Sequence, residues 1–428
     1  MGNKTCYEML IEGVDLKKGN IIFNDHKISL KTFLKNIEDF SISLKALGFN
    51  KGDVLTIYLP TCPQALVAFY ACSKLGVVAN IVHPLLPLDQ LRENLKQTKS
   101  KGLMYYDILI RNHKDLASLN QILINCSISN YVIWRKVFFL LFAIYKCRTY
   151  KKAIKYSKLI KHNKNAKPTE LEGRGDDVVC TMHSGGTSGQ PKIIELQNSA
   201  LNDLSIALEK MYTRKIRGGG SEYSLVALPI FHAYGLGVSV HTCLTNQYSL
   251  ILVPNFKPKK FNATIKKYNV TFFAGVPVMF KKMIEYKNFY GKHLAKLKDL
   301  WCGGDVLTES FMLLISVVLI VAFGFTAAKR GCTPVYALFC ASISSMIWGG
   351  LNFLNNWKPK FSFFAIWGSN AILTYILTLV VSMLFGGLLE TQMASLHPAA
   401  AVVIVLAILG LFTLMNWYLR KKNRYIRI

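Results

Sequence analysis

The run HSGGTSGQPK, from His183 to Lys192, gathers the groups that a polyphosphate needs. Gly185, Gly186 and Gly189 carry no Cβ, so their backbone N–H groups can turn inward and approach phosphate oxygens closely. Ser184, Thr187 and Ser188 add hydroxyl donors, and Lys192 adds a positive charge. Strand-like sequence on both sides, within Val178–Leu196, would hold the two ends of such a loop. A surface linker has no reason to sit between two apolar strands with Pro191-Lys192 at its exit. The loop is not of the Walker type, because no Gly-Lys-Ser/Thr triplet opens a helix.

Three later segments hold further candidates. LPIFHAYGL (Leu228–Leu236) contains His232, which taken alone is an ordinary core or surface histidine. GVPVMF (Gly275–Phe280) reads as a strand-to-helix turn, and WCGGDVL (Trp301–Leu307) places Gly303-Gly304 after a short strand. With HSGGTSGQPK and the early unit Leu59–Pro87, these segments resemble, in order, those of the adenylate-forming superfamily. That superfamily comprises the acyl-CoA synthetases, luciferases and peptide-synthetase adenylation domains. The likeness covers about residues 20–310, and Ile193 stands where that family has Gly.

The resemblance implies roles for these residues. Ser184, Gly185, Gly186, Thr187, Ser188, Gly189 and Lys192 would bind the β- and γ-phosphates of ATP. His232 would line the acyl channel, and Gly303 and Gly304 would lie near the adenine. A carboxylic acid, fatty in the first instance, would attack the α-phosphorus to give an acyl adenylate and pyrophosphate. The acyl group would then pass to a thiol such as coenzyme A, with Mg2+ as the expected ion. After its Gly-Gly strand the family carries a Tyr-Gly-x-Thr-Glu element, a ribose-binding Asp, a hinge Arg and a lid Lys. None of these is found here, and Thr308-Glu309 follows Gly304 too closely to be that pair. The expectation is therefore an impaired ligase without assigned catalytic or metal-binding residues.

The elements that must position these groups alternate. Val54–Leu59 reads as a strand, Pro63–Leu75 as a helix and Val77–Val82 as a strand. Tyr223–Pro229, Tyr248–Val253, Val270–Ala274 and Leu300–Cys302 are short apolar or β-branched runs separated by helical patterns. This predicts an α/β layered domain with a largely parallel sheet over residues 1–311. Tyr131–Lys167 breaks the alternation: an apolar run, Val137–Tyr145, precedes a basic stretch with Arg148, Lys151, Lys152, Lys155, Lys158 and Lys161. Two readings stay open there, a basic helix lying on anionic lipid and a solvated basic helix beside a core helix.

Composition sets the outer bounds. The 428 residues carry 52 Lys and Arg against 24 Asp and Glu, a net charge of +28, which suits an anionic partner. No groove-reading or stacking motif accompanies the charge, so nucleic acid is not the expected one. Hydrophobic residues reach 51%, which excludes a disordered or collagen-like chain. The 10 cysteines show no Cys-x-x-Cys pair, so neither zinc nor a disulfide framework is expected.

The hydrophobicity is concentrated in residues 312–428, where Glu390 is the single acid. Met312–Ala328, Val335–Leu354, Phe363–Gly387 and Ala399–Leu419 read as four transmembrane helices. Arg420, Lys421, Lys422, Arg424 and Arg427 then predict a multi-pass membrane protein with a cytoplasmic C-terminus and a cytoplasmic soluble domain. Phe361–Ser382 and Asn416–Ile428 resemble the last spans of membrane acyltransferases related to heparan-α-glucosaminide N-acetyltransferase. Three functions follow: a membrane-tethered acyl-activating ligase, a non-catalytic nucleotide- or acyl-binding descendant, and a sugar-acyltransferase fragment fused to a remnant ligase domain. Partners would be a carboxylic acid, membrane lipid and, for the missing half-site, a second chain.

Overall fold

A computed structural model of the chain describes residues 3–14, 18–107, 109–110, 113–126, 150–161, 167–183, 192–211, 222–286, 294 and 296–304. The chain divides into two compact units, Met1–Val306 and Leu307–Ile428, and the second lies outside the described residues.

The first unit is built on two mostly parallel sheets, as the alternation of elements predicts. One sheet contains β1 (Asn20–Phe23), β2 (His26–Ser29), β10 (Tyr223–Val226), β11 (Ser249–Leu252), β12 (Phe272–Gly275) and β13 (Asp299–Cys302), in the order β13-β12-β10-β11-β1-β2. Only the β1–β2 pair in it is antiparallel. The other contains β3 (Val54–Tyr58), β4 (Val78–Ile81), β5 (Gly102–Tyr106), β6 (Ile122–Cys126), β7 (Ile154–Lys155), β8 (Val178–His183) and β9 (Ile193–Gln197), in the order β7-β6-β5-β3-β4-β8-β9. Here β8 and β9, the two strands expected to flank the glycine-rich loop, pair antiparallel.

The helices form where local chemistry permits. α1 (Cys6–Gly13) opens on a capping box: Glu8 N–H donates to Thr5 Oγ1 at 3.0 Å, and Thr5 N–H donates to Glu8 Oε2 at 2.7 Å. α2 (Leu30–Ala46) opens on Ser29, whose Oγ accepts from Thr32 N–H. α3 (Pro63–Leu75) starts with Pro at its first position and stops at Gly76, whose φ of +65° suits a glycine. Every residue of α3 is buried, as its apolar circumference demands. It packs against α1, α2 and the β3-β4-β8 sheet, and its Lys74 is paired with Glu38 of α2.

Two expectations are corrected here. The multi-pass membrane placement, with soluble domain and C-terminus cytoplasmic, is overturned: among the described residues no helix is long and apolar enough to cross a membrane. The apolar helix α3 is enclosed by protein along its whole length. The four runs from Met312 to Leu419 that carried that expectation lie outside the described residues.

The second correction concerns the basic stretch. Residues 127–149 and 162–166 lie outside the described ones, and over the described residues 150–161 no continuous basic helix forms. Ile154–Lys155 instead pairs with β6 as β7, and among residues 150–161 only Tyr156–Leu159 makes a helical turn. Tyr156 is buried and its ring lies 5.4 Å from that of Phe40, while Ser43 Oγ donates to the Leu159 carbonyl at 2.8 Å. Packing onto α2 thus overrides the helical spacing of the lysines.

Candidate active site

Several candidate residues stand at or just past the carboxyl ends of parallel strands. β3 runs out into Thr61, β4 into His83, β8 into His183, β10 into Pro229–His232, and β13 into Gly303-Gly304. Carboxyl ends of parallel strands are where open α/β sheets bind ligands, since the loops there are free to vary. The two sheets meet at this end: Ile230 N–H donates to Thr61 Oγ1 at 3.2 Å.

His232 is exposed and sits in a turn that its own N–H closes on the Pro229 carbonyl at 3.2 Å. Its ring is 4.7 Å from that of Phe231, which in turn lies 4.5 Å from the ring of His83. Partial desolvation pushes the His232 pKa below the ordinary imidazole value, and the nearby His83 adds to the effect. Desolvation lowers His83 in the same direction. Its Nδ1 accepts from Leu85 N–H at 3.0 Å, which leaves the proton of a neutral ring on Nε2.

The turn leads into a π-helical segment, Tyr234–Thr242. Such wide turns are uncommon and occur often at functional sites. Gly235 is required there, because a Cβ would stand 2.0 Å from the Pro229 carbonyl oxygen. Tyr234 projects over the end of β13: a Cβ on Gly303 would meet its ring at 3.6 Å, and one on Gly304 at 3.2 Å. Burial, with Cys302 close by, pushes the Tyr234 hydroxyl up to about 12, so it remains a neutral donor. Tyr234, two residues past His232, thus brings this turn onto Gly303-Gly304, which are distant in the sequence.

The remaining candidates fall differently. Lys192 is exposed, immediately before β9. Ser184, Gly185, Gly186, Thr187, Ser188 and Gly189 lie outside the described residues. His183, the last residue of β8, accepts at Nε2 from Asn94 Nδ2 at 2.7 Å. Sequence reasoning gave no role to His83, Tyr234, His183 or Asn94. The signal available was the position of His83 and His183 immediately past or at a strand's carboxyl end. Among the described residues no cluster of three or more His, Cys, Asp or Glu could hold a metal ion. Cys6, Cys62, Cys72, Cys126, Cys180, Cys243 and Cys302 are free thiols.

Residues 15–333 match the family model of the AMP-binding enzymes. The chain belongs to the AMP-binding enzyme family. Its AMP-binding domain is of the adenylate-forming, acyl-CoA-ligase type, and the match continues past the change in hydropathy at residue 312. It is 24% identical over 347 residues to a long-chain-fatty-acid–CoA ligase of Bacillus subtilis (strain 168), covering 76% of this chain and 60% of the relative. It is 23% identical over 267 residues to 4-coumarate–CoA ligase 2 of Solanum tuberosum, covering 62% of this chain and 45% of the relative. The chain thus spans 60% and 45% of the lengths of these two curated ligases.

Solved structures place the fold. The o-succinylbenzoate CoA synthetase of Bacillus subtilis, in complex with its acyl-adenylate intermediate, superposes with a TM-score of 0.58 at 17% identity, over 74% of this chain and 72% of that one. ATP-bound MatB of Rhodopseudomonas palustris gives a TM-score of 0.56 at 18% identity, over 73% of this chain and 57% of that one. These comparisons lend no support to the likeness of residues 312–428 to membrane sugar acyltransferases.

Proposed function

We propose that this AMP-binding domain activates a carboxylic acid with ATP, forming an acyl adenylate for transfer to a thiol such as coenzyme A. The observation that carries the reading is Tyr234, two residues past His232, closing on Gly303-Gly304 at the end of β13 in a family-matched domain. The side chains named there are imidazoles, a phenol and, one strand away, the Lys192 ammonium. A donor set without a carboxylate fits an anionic ligand.

Ser184, Gly185, Gly186, Thr187, Ser188, Gly189 and Lys192 would hold the outer phosphates of ATP. The turn at Gly303-Gly304, free of side chains, would take the adenine edge, with Tyr234 fixing the turn from behind. His232, neutral and exposed, would donate to or accept from the carboxyl group of the acid. Neutralising the leaving pyrophosphate and holding the acid in line would lower the barrier to attack on the α-phosphorus. Relatives are named for fatty and coumaric acids, which favours a medium or large apolar acid here. Magnesium is expected of the family, and no step is derived through it.

A second reading, binding without turnover, is favoured by the sequence after Gly304, which carries no Tyr-Gly-x-Thr-Glu element. Acid-dependent ATP–pyrophosphate exchange by the full chain separates the two. Exchange with short, long-chain or aromatic acids that disappears in Lys192→Ala supports the ligase. ATP binding without exchange under any acid supports the binding domain, and the absence of both overturns the family of readings.

A further inference from the structure

Beneath the end of β8 runs a buried chain of polar side chains whose proton count fixes the state of His183. The Thr98 hydroxyl lies 2.8 Å from the Asn94 carbonyl, which can only accept, so Thr98 donates. Ser100 Oγ is 2.8 Å from Thr98 Oγ1, and with the Thr98 proton already used, Ser100 must donate there. Thr56 Oγ1 is 2.5 Å from Ser100 Oγ and, by the same count, must donate to it. Thr56 can then only accept from Asn80, whose Nδ2 stands 2.8 Å away. The second Nδ2 proton of Asn80 goes to Asn94 Oδ1 at 2.7 Å, and Asn80 Oδ1 accepts from the Thr181 hydroxyl at 2.9 Å.

Reversing the Asn80 amide would make Thr56 donate to it and leave one of the two hydroxyl contacts of Ser100 without a proton. That is two oxygens at hydrogen-bond distance with nothing between them, in a place where Thr56, Asn80, Asn94, Ser100 and Thr181 are all buried. The amide of Asn94 is thereby oriented as well, and it presents Nδ2 to His183 Nε2 at 2.7 Å. His183 Nε2 is an acceptor, so the ring is neutral and its proton is on Nδ1. Desolvation lowers its pKa in agreement. The ring is half-buried, and among the described residues Nδ1 has no hydrogen-bond partner.

We propose that His183 is a ligand-binding residue at the carboxyl end of β8, its Nδ1–H donating to an anionic oxygen of the nucleotide's polyphosphate or of the acid's carboxylate, with Asn94 and Asn80 as positioning residues that hold this tautomer. The inference rests on the ligase reading above. β8 lies beside β4 in register, Asn80 opposite Thr181, so His183 emerges at the same end as His83 and one residue before Ser184. A neutral donor binds an anion through direction rather than net charge, and so does not add to the pull that retains a released product.

The test uses the full chain labelled with 15N-histidine, with His183→Phe locating the His183 signals. The expected spectrum is that of the neutral Nδ1–H tautomer, converted in Asn94→Asp to a ring protonated at Nε2. A wild-type ring protonated at Nε2 overturns the assignment. Calorimetric titration with sodium triphosphate and, separately, with hexanoate then reads the role. His183→Phe should lose affinity at least 10-fold for one of them, and His183→Gln, which keeps a neutral N–H donor, should recover to within about threefold. Loss confined to triphosphate identifies phosphate as the partner; loss confined to hexanoate identifies the carboxylate. Unchanged binding of both by a folded His183→Phe overturns this inference alone, whereas a wild-type chain that binds neither overturns it together with the ligase reading.

Discussion

The ring of Tyr234 lies against Gly304 so closely that a Cβ at that glycine would stand 3.2 Å from Tyr234 Cδ1. Gly304 also has a φ of +76°, which residues with a side chain rarely adopt. This contact joins the turn after β10, which carries His232, to the end of β13.

Gly304→Ala should therefore destabilise the domain by about 1–2 kcal/mol, part from the positive φ and part from the ring. Tyr234→Ala in the same chain should relieve only the second part. Urea unfolding of the two single variants and the double variant gives the coupling, expected at about 0.5 kcal/mol or more. Simple additivity would show that the ring does not press on the glycine.

Gly235→Ala meets a harder obstacle, because its Cβ would stand 2.0 Å from the backbone oxygen of Pro229. Backbone cannot rotate away as a side chain can, so a loss of about 3 kcal/mol is expected. Gly48→Ala is the control: its φ is +82° but no atom lies within 4 Å of the added carbon. It should lose only about 1 kcal/mol. Equal midpoints for the two variants would contradict the packing of the turn.

His241 sets a pH dependence. It is wholly buried, accepts from the Tyr70 hydroxyl at Nδ1 (3.1 Å) and donates from Nε2 to Asn202 Oδ1 (2.9 Å). Burial pushes its pKa down to about 3. The unfolded chain binds this proton near the ordinary value of about 6.5, so between these two values it holds more protons than the folded one. The stability contributed by neutral His241 is complete above the unfolded pKa and is lost as pH falls from about 6.5 toward the folded value, by up to about 1.4 kcal/mol per unit. His241→Gln should flatten that slope by one proton, measured by urea unfolding at several pH values. A slope unchanged in the variant would remove His241 as its source.

Lys192→Ala should leave the fold intact, since the side chain is exposed just before β9. It should weaken triphosphate binding about 10-fold or more, the loss expected for one charge-assisted contact of about 1.5 kcal/mol. Calorimetry and the thermal midpoint, measured together, separate the two effects. Full affinity in the variant would take Lys192 out of the phosphate site.

Much of the framework was legible in the chain. Pro63–Leu75 has the same bounds in sequence and structure, because a proline opens it, a glycine closes it and an unbroken apolar run needs burial. The strands read at Val54–Leu59, Tyr223–Pro229 and Val270–Ala274 form as Val54–Tyr58, Tyr223–Val226 and Phe272–Gly275, with ends set by where pairing stops. The docking of residues 151–161 was not legible, since helical spacing of lysines says nothing of the buried Tyr156 that packs on Phe40.

By itself the sequence determined the family and the α/β layering, because the glycine-rich loop, the Pro-x-Phe-His-x-x-Gly turn and the Gly-Gly strand end are contiguous runs whose local chemistry survives without context. It also offered His232, but as one histidine among nine. Tertiary structure alone decided that His83 and Phe231 stand beside it, that Tyr234 closes on Gly304, and that His183 carries its proton on Nδ1. Those facts depend on strands distant in the chain ending at one place. The direction of a hydrogen-bond network, in particular, is set only when every donor and acceptor in it has met its partner.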